Sequence, residues 1–253
     1  MERVTDALRS EMAPTGVLRA GINIGNPVIA QRDAQGGNPR GVGPALAALL
    51  AKQVGVPVRY VVYETAGRLA DGAKDKDWDV AFLAIDPARA IDIEFTAAYV
   101  HIEGTYMVAS ESPMNDVADF DREGLKIAVG LKTAYDLFLS RELKRSQLVR
   151  AESPAAAIDL YMNGGLDAVA GVRQPLETSA AKHRGFRVIK GGFMVIRQAA
   201  GVPRGRPAAA RYLADFIEEA KASGFVARAL RESGVADVTV APPRDASAHF
   251  PSM

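Results

Sequence analysis

A chain of 253 residues, 48% of them hydrophobic and 24% charged, has the composition of an ordinary folded protein and enough length for one large domain or two small ones. A net charge of +1 gives no global field to attract nucleic acid or an anionic membrane surface, and no apolar run approaches a membrane span. Cysteine is absent, which excludes disulfides, thiolate metal sites and cysteine nucleophiles. The three histidines, His101, His183 and His249, stand far apart without metal-ligand spacing.

The opening residues, Met1-Glu2-Arg3-Val4-Thr5-Asp6, are polar and carry no apolar core or cleavage site of an export signal. They leave two expectations open, a trimmed signal or a cytoplasmic protein. A short helix is expected over 8–12 and a first strand over 16–22. A loop rich in Gly, Asn and Pro follows, containing Asn23, Gly25, Asn26 and Pro27. Helical spacing of Ala and Leu predicts a helix over 44–54, then a strand over 56–63 and a helix over 65–74. The strand over 80–85 is apolar throughout and stops at Asp86-Pro87, the chemistry of a helix N-cap followed by its first turn. That places Arg89 beside a helix N-terminus. Exposed amides next to a guanidinium make an anion site, although Arg89 pairing with Asp92 or Glu94 is the plainer alternative.

The alternation of strand and helix predicts a parallel sheet with right-handed crossovers. A second alternation begins after Ser110-Glu111-Ser112-Pro113, with strands over 125–129, 148–150 and 166–171 and helices over 133–141 and 153–163. A strand over 186–189, an extended run over 193–198 and a long amphipathic helix over 207–224 complete the reading, with a frayed tail from Ala241. Two chain crossings, near 101–106 and 193–198, are expected to form hinge strands.

The phrase Gly16-Val17-Leu18-Arg19-Ala20-Gly21-Ile22, the run from Asp79 through Arg89 to Phe95-Thr96 and Tyr99, and the close Ala222-Ser223-Gly224-Phe225 resemble the type II solute-binding proteins, extracellular family 3. These are the amino-acid-binding branch of the ABC-importer receptors. The resemblance implies an α/β fold of two lobes, each a mainly parallel sheet flanked by helices, with lobe 1 at 1–102 and 196–253 and lobe 2 at 103–195. It also implies a monomeric, periplasmic receptor that binds a small carboxylate or amino acid without cofactor or metal and docks on ABC-transporter membrane subunits. No nucleic acid is implied.

The same resemblance implies the site. Arg89 would hold the ligand's carboxylate, with Ala84 at the Ser/Thr position of the family's signature. The turn before Thr133 would close on that carboxylate from the second lobe, although Thr133 also suits a plain helix cap. Asn23 and Asn26 occupy the first-strand exit, where the family usually has an Asp and an aromatic ring; a turn without ligand role is the alternative. Lys132 stands where the family often has Gly or Ser and is either solvated or in contact with ligand. The stacking aromatic after the second strand is missing, and Tyr63 or Phe82, both more at home in a core, are the substitutes at hand.

The acid that binds an amino acid's ammonium falls on Val172, with Arg173 next to it. Without that acid the site fits an anionic or neutral ligand better, including dicarboxylates that also use Arg173 or Lys132. A misalignment would instead leave the acid to Glu103 or Glu177. An enzyme of the cyclohexadienyl dehydratase kind, with an acidic catalyst near 173–177, and a cytoplasmic sensor are the alternative functions. A transcription regulator is discounted, since the residues before the first strand hold no room for DNA-binding helices.

Overall fold

The structure, a computed structural model, describes residues 4–235 and 237–244; His249 therefore lies outside the described residues. Helix α1 (Asp6–Met12) is capped by Thr5, whose hydroxyl accepts from the Leu8 amide. Strand β1 (Leu18–Asn23) leads to α2 (Val42–Val54), which stops at Gly55 in the left-handed conformation that glycine tolerates. Strand β2 (Val58–Tyr63), helix α3 (Ala66–Asp71, capped by Thr65) and β3 (Val80–Ala84) follow. Strand β3 is buried on both faces. Val80 and Phe82 belong to the main core with Leu46 and Leu50 of α2, whereas Ala81 and Leu83 pack with Leu69 and Trp78.

The helix expected after Asp86 does not form. The amides of Arg89 and Ala90 both reach the Asp86 carbonyl, and the Asp86 carboxylate accepts from Ala88, but the next strand begins at Ile93, which leaves room for turns only. That strand, β4 (Ile93–Ala109), is far longer than the crossing expected near 101–106.

The second alternation reads β5 (Lys126–Gly130), α4 (Ala134–Glu142), β6 (Gln147–Ala151), α5 (Pro154–Met162) and β7 (Ala168–Val172). Ser153 caps α5 and Pro154 opens it, the pairing of residues that favours a helix start. Helix α6 (Arg173–Lys182) was not anticipated; its first residue follows β7 directly, and no side chain caps it. Strands β8 (Phe186–Val188) and β9 (Met194–Pro203), helices α7 (Pro207–Ala222) and α8 (Phe225–Glu232) and the short β10 (Thr239–Val240) complete the described chain. Residues 241–244 are not frayed. Ala241 is buried and its amide reaches the Tyr99 carbonyl, while Lys221 Nζ holds the Pro242 carbonyl at 2.8 Å.

The strands form a central sheet in the order β2-β1-β3-β9-β4-β7-β5-β6, with β8 and β10 also on β4. Two parallel blocks, β2-β1-β3 and β7-β5-β6, are joined through the antiparallel strands β9 and β4. Helices flank both blocks. The parallel pattern expected from the sequence therefore holds within each block, and the two long strands connect them. No helix among the described residues is long and apolar enough to cross a membrane.

Candidate functional site

Open α/β sheets place ligands at the carboxyl ends of their parallel strands. Here the ends of β1 and β3 from one block converge with the ends of β5 and β7 from the other. Between them lies a cavity of about 60 Å³ lined by Asn23, Ala84, Arg89, Thr133, Val172 and Gln198, among others. An apolar wall of Pro154, Ile158, Pro175 and Leu176 closes one side, and no acidic residue lines it.

Arg89 is the charged residue of the lining, and only 5% exposed. Its guanidinium donates to the Ala84 carbonyl and to the Lys132 carbonyl, each at 2.9 Å, so it grips one backbone group from each side of the cavity. Burial lowers its pKa to about 10, against the opposing fields of Asp86 and Asp71, and it remains a cation at neutral pH. It forms no ion pair among the described residues. Of the two acids expected as alternative partners, Asp92 pairs with Lys74 at 3.4 Å and Glu94 forms no ion pair with Arg89; Asp86, whose field also reaches Arg89, pairs with Arg141 at 3.0 Å.

Opposite Arg89 stands the N-terminus of α4. Thr133 caps it, donating to the Gly130 carbonyl and accepting from the Asp136 amide, so its hydroxyl is committed to the helix. The amides of Ala134 and Tyr135, the first two of the helix, have no acceptor among the described residues, and both residues line the cavity. Free amides at a helix start, facing a buried guanidinium, form a positive pole. The turn before it depends on Lys132, whose φ of 56° is left-handed; its amide is held by the Asp136 carboxylate, which Arg150 also grips. The glycine frequent at this position in the family suits that conformation.

Asn23 and Asn26 both line the cavity. Their carboxamide oxygens are taken by local turns, with the Gly25 and Val28 amides respectively, which leaves their NH₂ groups as donors. A side chain at Gly25 would collide with the Glu64 carbonyl, so the turn requires glycine. Gln198 was missed from the sequence. It is 4% exposed, lies in register with Ala84 on the neighbouring strand, and its carboxamide makes no hydrogen bond to any described residue. The available sign was a lone amide in front of the apolar run Ala199-Ala200-Gly201-Val202.

The structure thus brings together Asn23, Asn26, Ala84, Arg89 and Thr133, and places two expected residues apart. The Lys132 side chain reaches away from the cavity to Asp71 at 2.9 Å, so that only its backbone meets Arg89. Arg173 lies outside the lining, paired with Glu103 and Glu177 and donating to the Gly191 carbonyl. Glu103 and Glu177, the alternative acids, are therefore occupied with Arg173 and outside the lining too. Phe82 is core, and Tyr63 donates to Asp77 instead of facing the site.

A two-lobed mixed α/β fold with a cavity at converging strand ends is the architecture of the type II periplasmic binding proteins. The chain belongs to the bacterial extracellular solute-binding proteins, family 3, which it matches over residues 18–232. It is thus a solute-binding protein by family, not an enzyme. A comparison with curated protein sequences gives no match. Among solved structures it is similar to the cysteine-binding protein of Campylobacter jejuni, with a TM-score of 0.78 and 20% identity over 93% of this chain and 99% of that one. It is also similar to a solute receptor for L-cysteine of Neisseria gonorrhoeae, with a TM-score of 0.77 and 21% identity over 90% and 93%. A third is an ancestral amino acid-binding protein, a precursor of cyclohexadienyl dehydratase, with a TM-score of 0.74 and 21% identity over 88% and 97%.

Proposed function

We propose that this protein is the solute receptor of an ABC-type importer, working outside the cytoplasmic membrane as a monomer and handing its solute to the importer's membrane subunits. The solute is a small carboxylate, an amino acid or a related organic acid. It sits between two lobes, 103–195 and the rest of the chain, that close over it. The observation that carries this reading is Arg89, a buried cation with no acidic partner among the described residues, facing the unpaired amides of Ala134 and Tyr135. Such a cation is costly to keep unless an anion completes it.

The amino-acid binding named for the solved relatives supports the carboxylate half of this reading. Isothermal calorimetry with L-cysteine, L-alanine, L-arginine, L-lactate and succinate tests it. At least one should bind with an affinity that Arg89→Ala lowers thirtyfold or more, since removing one partner of a buried charged pair costs ~2–5 kcal/mol. Affinity unchanged by Arg89→Ala would refute the assignment.

A further inference from the structure

We propose that Gln198 is the residue that sets ligand specificity, and that the cavity takes a short monocarboxylate bearing a neutral oxygen, a hydroxyl or a carbonyl, next to its carboxylate. This rests on the receptor reading above and deepens it. The argument begins with donors and acceptors. Around the cavity the polar groups left free are the remaining N–H groups of Arg89, the NH₂ groups of Asn23 and Asn26, and the amides of Ala134 and Tyr135. All of these are donors. Of the side-chain carboxamides, only that of Gln198 keeps its oxygen free as well as its NH₂. It lines the cavity without a partner among the described residues, so both its donor and its acceptor are open to a ligand.

Position then assigns what Gln198 meets. It pairs in register with Ala84, whose carbonyl receives the Arg89 guanidinium, so Gln198 stands one strand away from the carboxylate anchor. On the same face of β9, Ile196 also lines the cavity, which places Gln198 between the charged pole and an apolar surface. The atom attached next to the ligand's carboxylate therefore meets the carboxamide. An ammonium there can donate to the Gln198 oxygen, but it puts a positive charge beside Arg89 with no acid in the lining and brings no acceptor for the Gln198 and Asn23 NH₂ groups. A hydroxyl or carbonyl oxygen accepts from the Gln198 and Asn23 NH₂ groups, and a hydroxyl also donates to the Gln198 oxygen.

A second carboxylate is disfavoured as well, because Arg173 and Lys132 are held in ion pairs outside the cavity. The dicarboxylates expected from the sequence are thus replaced by monocarboxylates. The cavity, about 60 Å³, suits a small solute.

The test is calorimetry on the full chain with matched probes: L-lactate, L-alanine and propionate, then 2-oxobutyrate, L-2-aminobutyrate and butyrate. The oxygen-bearing acid should bind at least tenfold more tightly than its amino and unsubstituted counterparts. Gln198→Met, close in size, should cut that advantage at least fivefold while moving the unsubstituted acid less than threefold. Gln198→Glu should reverse the preference towards the amino acid, and thermal melting confirms that each variant is folded. Tighter binding of alanine than lactate by the unaltered protein, or an unchanged ranking in Gln198→Met, overturns the inference. If these rankings fail while Arg89→Ala still abolishes carboxylate binding, the receptor reading stands alone. If no acid of the panel binds, both fall.

Discussion

Replacing Arg89 by methionine, which keeps most of the volume and removes the charge, separates what this residue does for binding from what it costs the fold. Burial lowers its pKa from the ordinary 12.5 to about 10, a difference worth ~3 kcal/mol against the charged form. The folded state holds this proton less tightly than the unfolded chain does, so charging Arg89 opposes folding at every pH below about 10. The penalty fades as pH rises from about 10 towards 12.5. Against it stand the hydrogen bonds to the Ala84 and Lys132 carbonyls, each worth about 1 kcal/mol net and both lost in the variant. The ligand-free Arg89→Met protein should therefore be as stable as the parent or up to ~2 kcal/mol more stable, a melting temperature unchanged or raised by up to about 6 °C. Its carboxylate affinity should fall thirtyfold or more. Scanning calorimetry without ligand, paired with titration calorimetry, reads both. A melting point lowered by more than about 5 °C together with retained affinity would refute the reasoning, since the guanidinium would then be a structural strut and not a ligand anchor held at a cost.

Two further outcomes follow from how the surrounding groups are engaged. Thr133→Ala removes the cap on the Asp136 amide and should destabilise the protein by ~0.5–2 kcal/mol in thermal melting; affinity should change less than tenfold, because the free groups there are the amides of Ala134 and Tyr135. An unchanged melting point would show the cap to be dispensable. Lys132→Ala should leave carboxylate affinity within threefold, as its ammonium points to Asp71 and its contribution to Arg89 is a backbone carbonyl; a loss beyond tenfold would place the side chain in the cavity.

Much of this arrangement was legible from local chemistry. The all-apolar strand ending at Asp86, the Thr133 cap and the Gly-rich first exit each carry their signal within a few residues, and each does line or frame the cavity. What failed was decided by distant partners. Asp86-Pro87 reads as a helix start, yet Ile93 is already needed by β9, and the sheet prevails over the cap. Arg173 and Lys132 look like free cations in sequence because Glu103 is 70 positions away from one and Asp71 61 from the other. Gln198 was invisible for a related reason. An amide in a strand carries no periodic signature, and its meaning comes from having no partner, which only the folded chain reveals.

The placement of β9 has a consequence for how the chain assembles. Strand β3, apolar and buried on both faces, takes β9 as its second neighbour, yet about a hundred residues separate Ala84 from Met194. At synthesis rates of ~5–20 residues per second, β3 has one open edge for ~5–20 s after it emerges. An uncovered apolar edge is a template for pairing with another chain, and during that interval the nascent protein is most exposed to aggregation. The strand that ends this exposure is the one carrying Gln198. Protection from misassembly and completion of the cavity thus arrive in the same event, so a chain able to bind its solute is one whose most adhesive edge has already been covered.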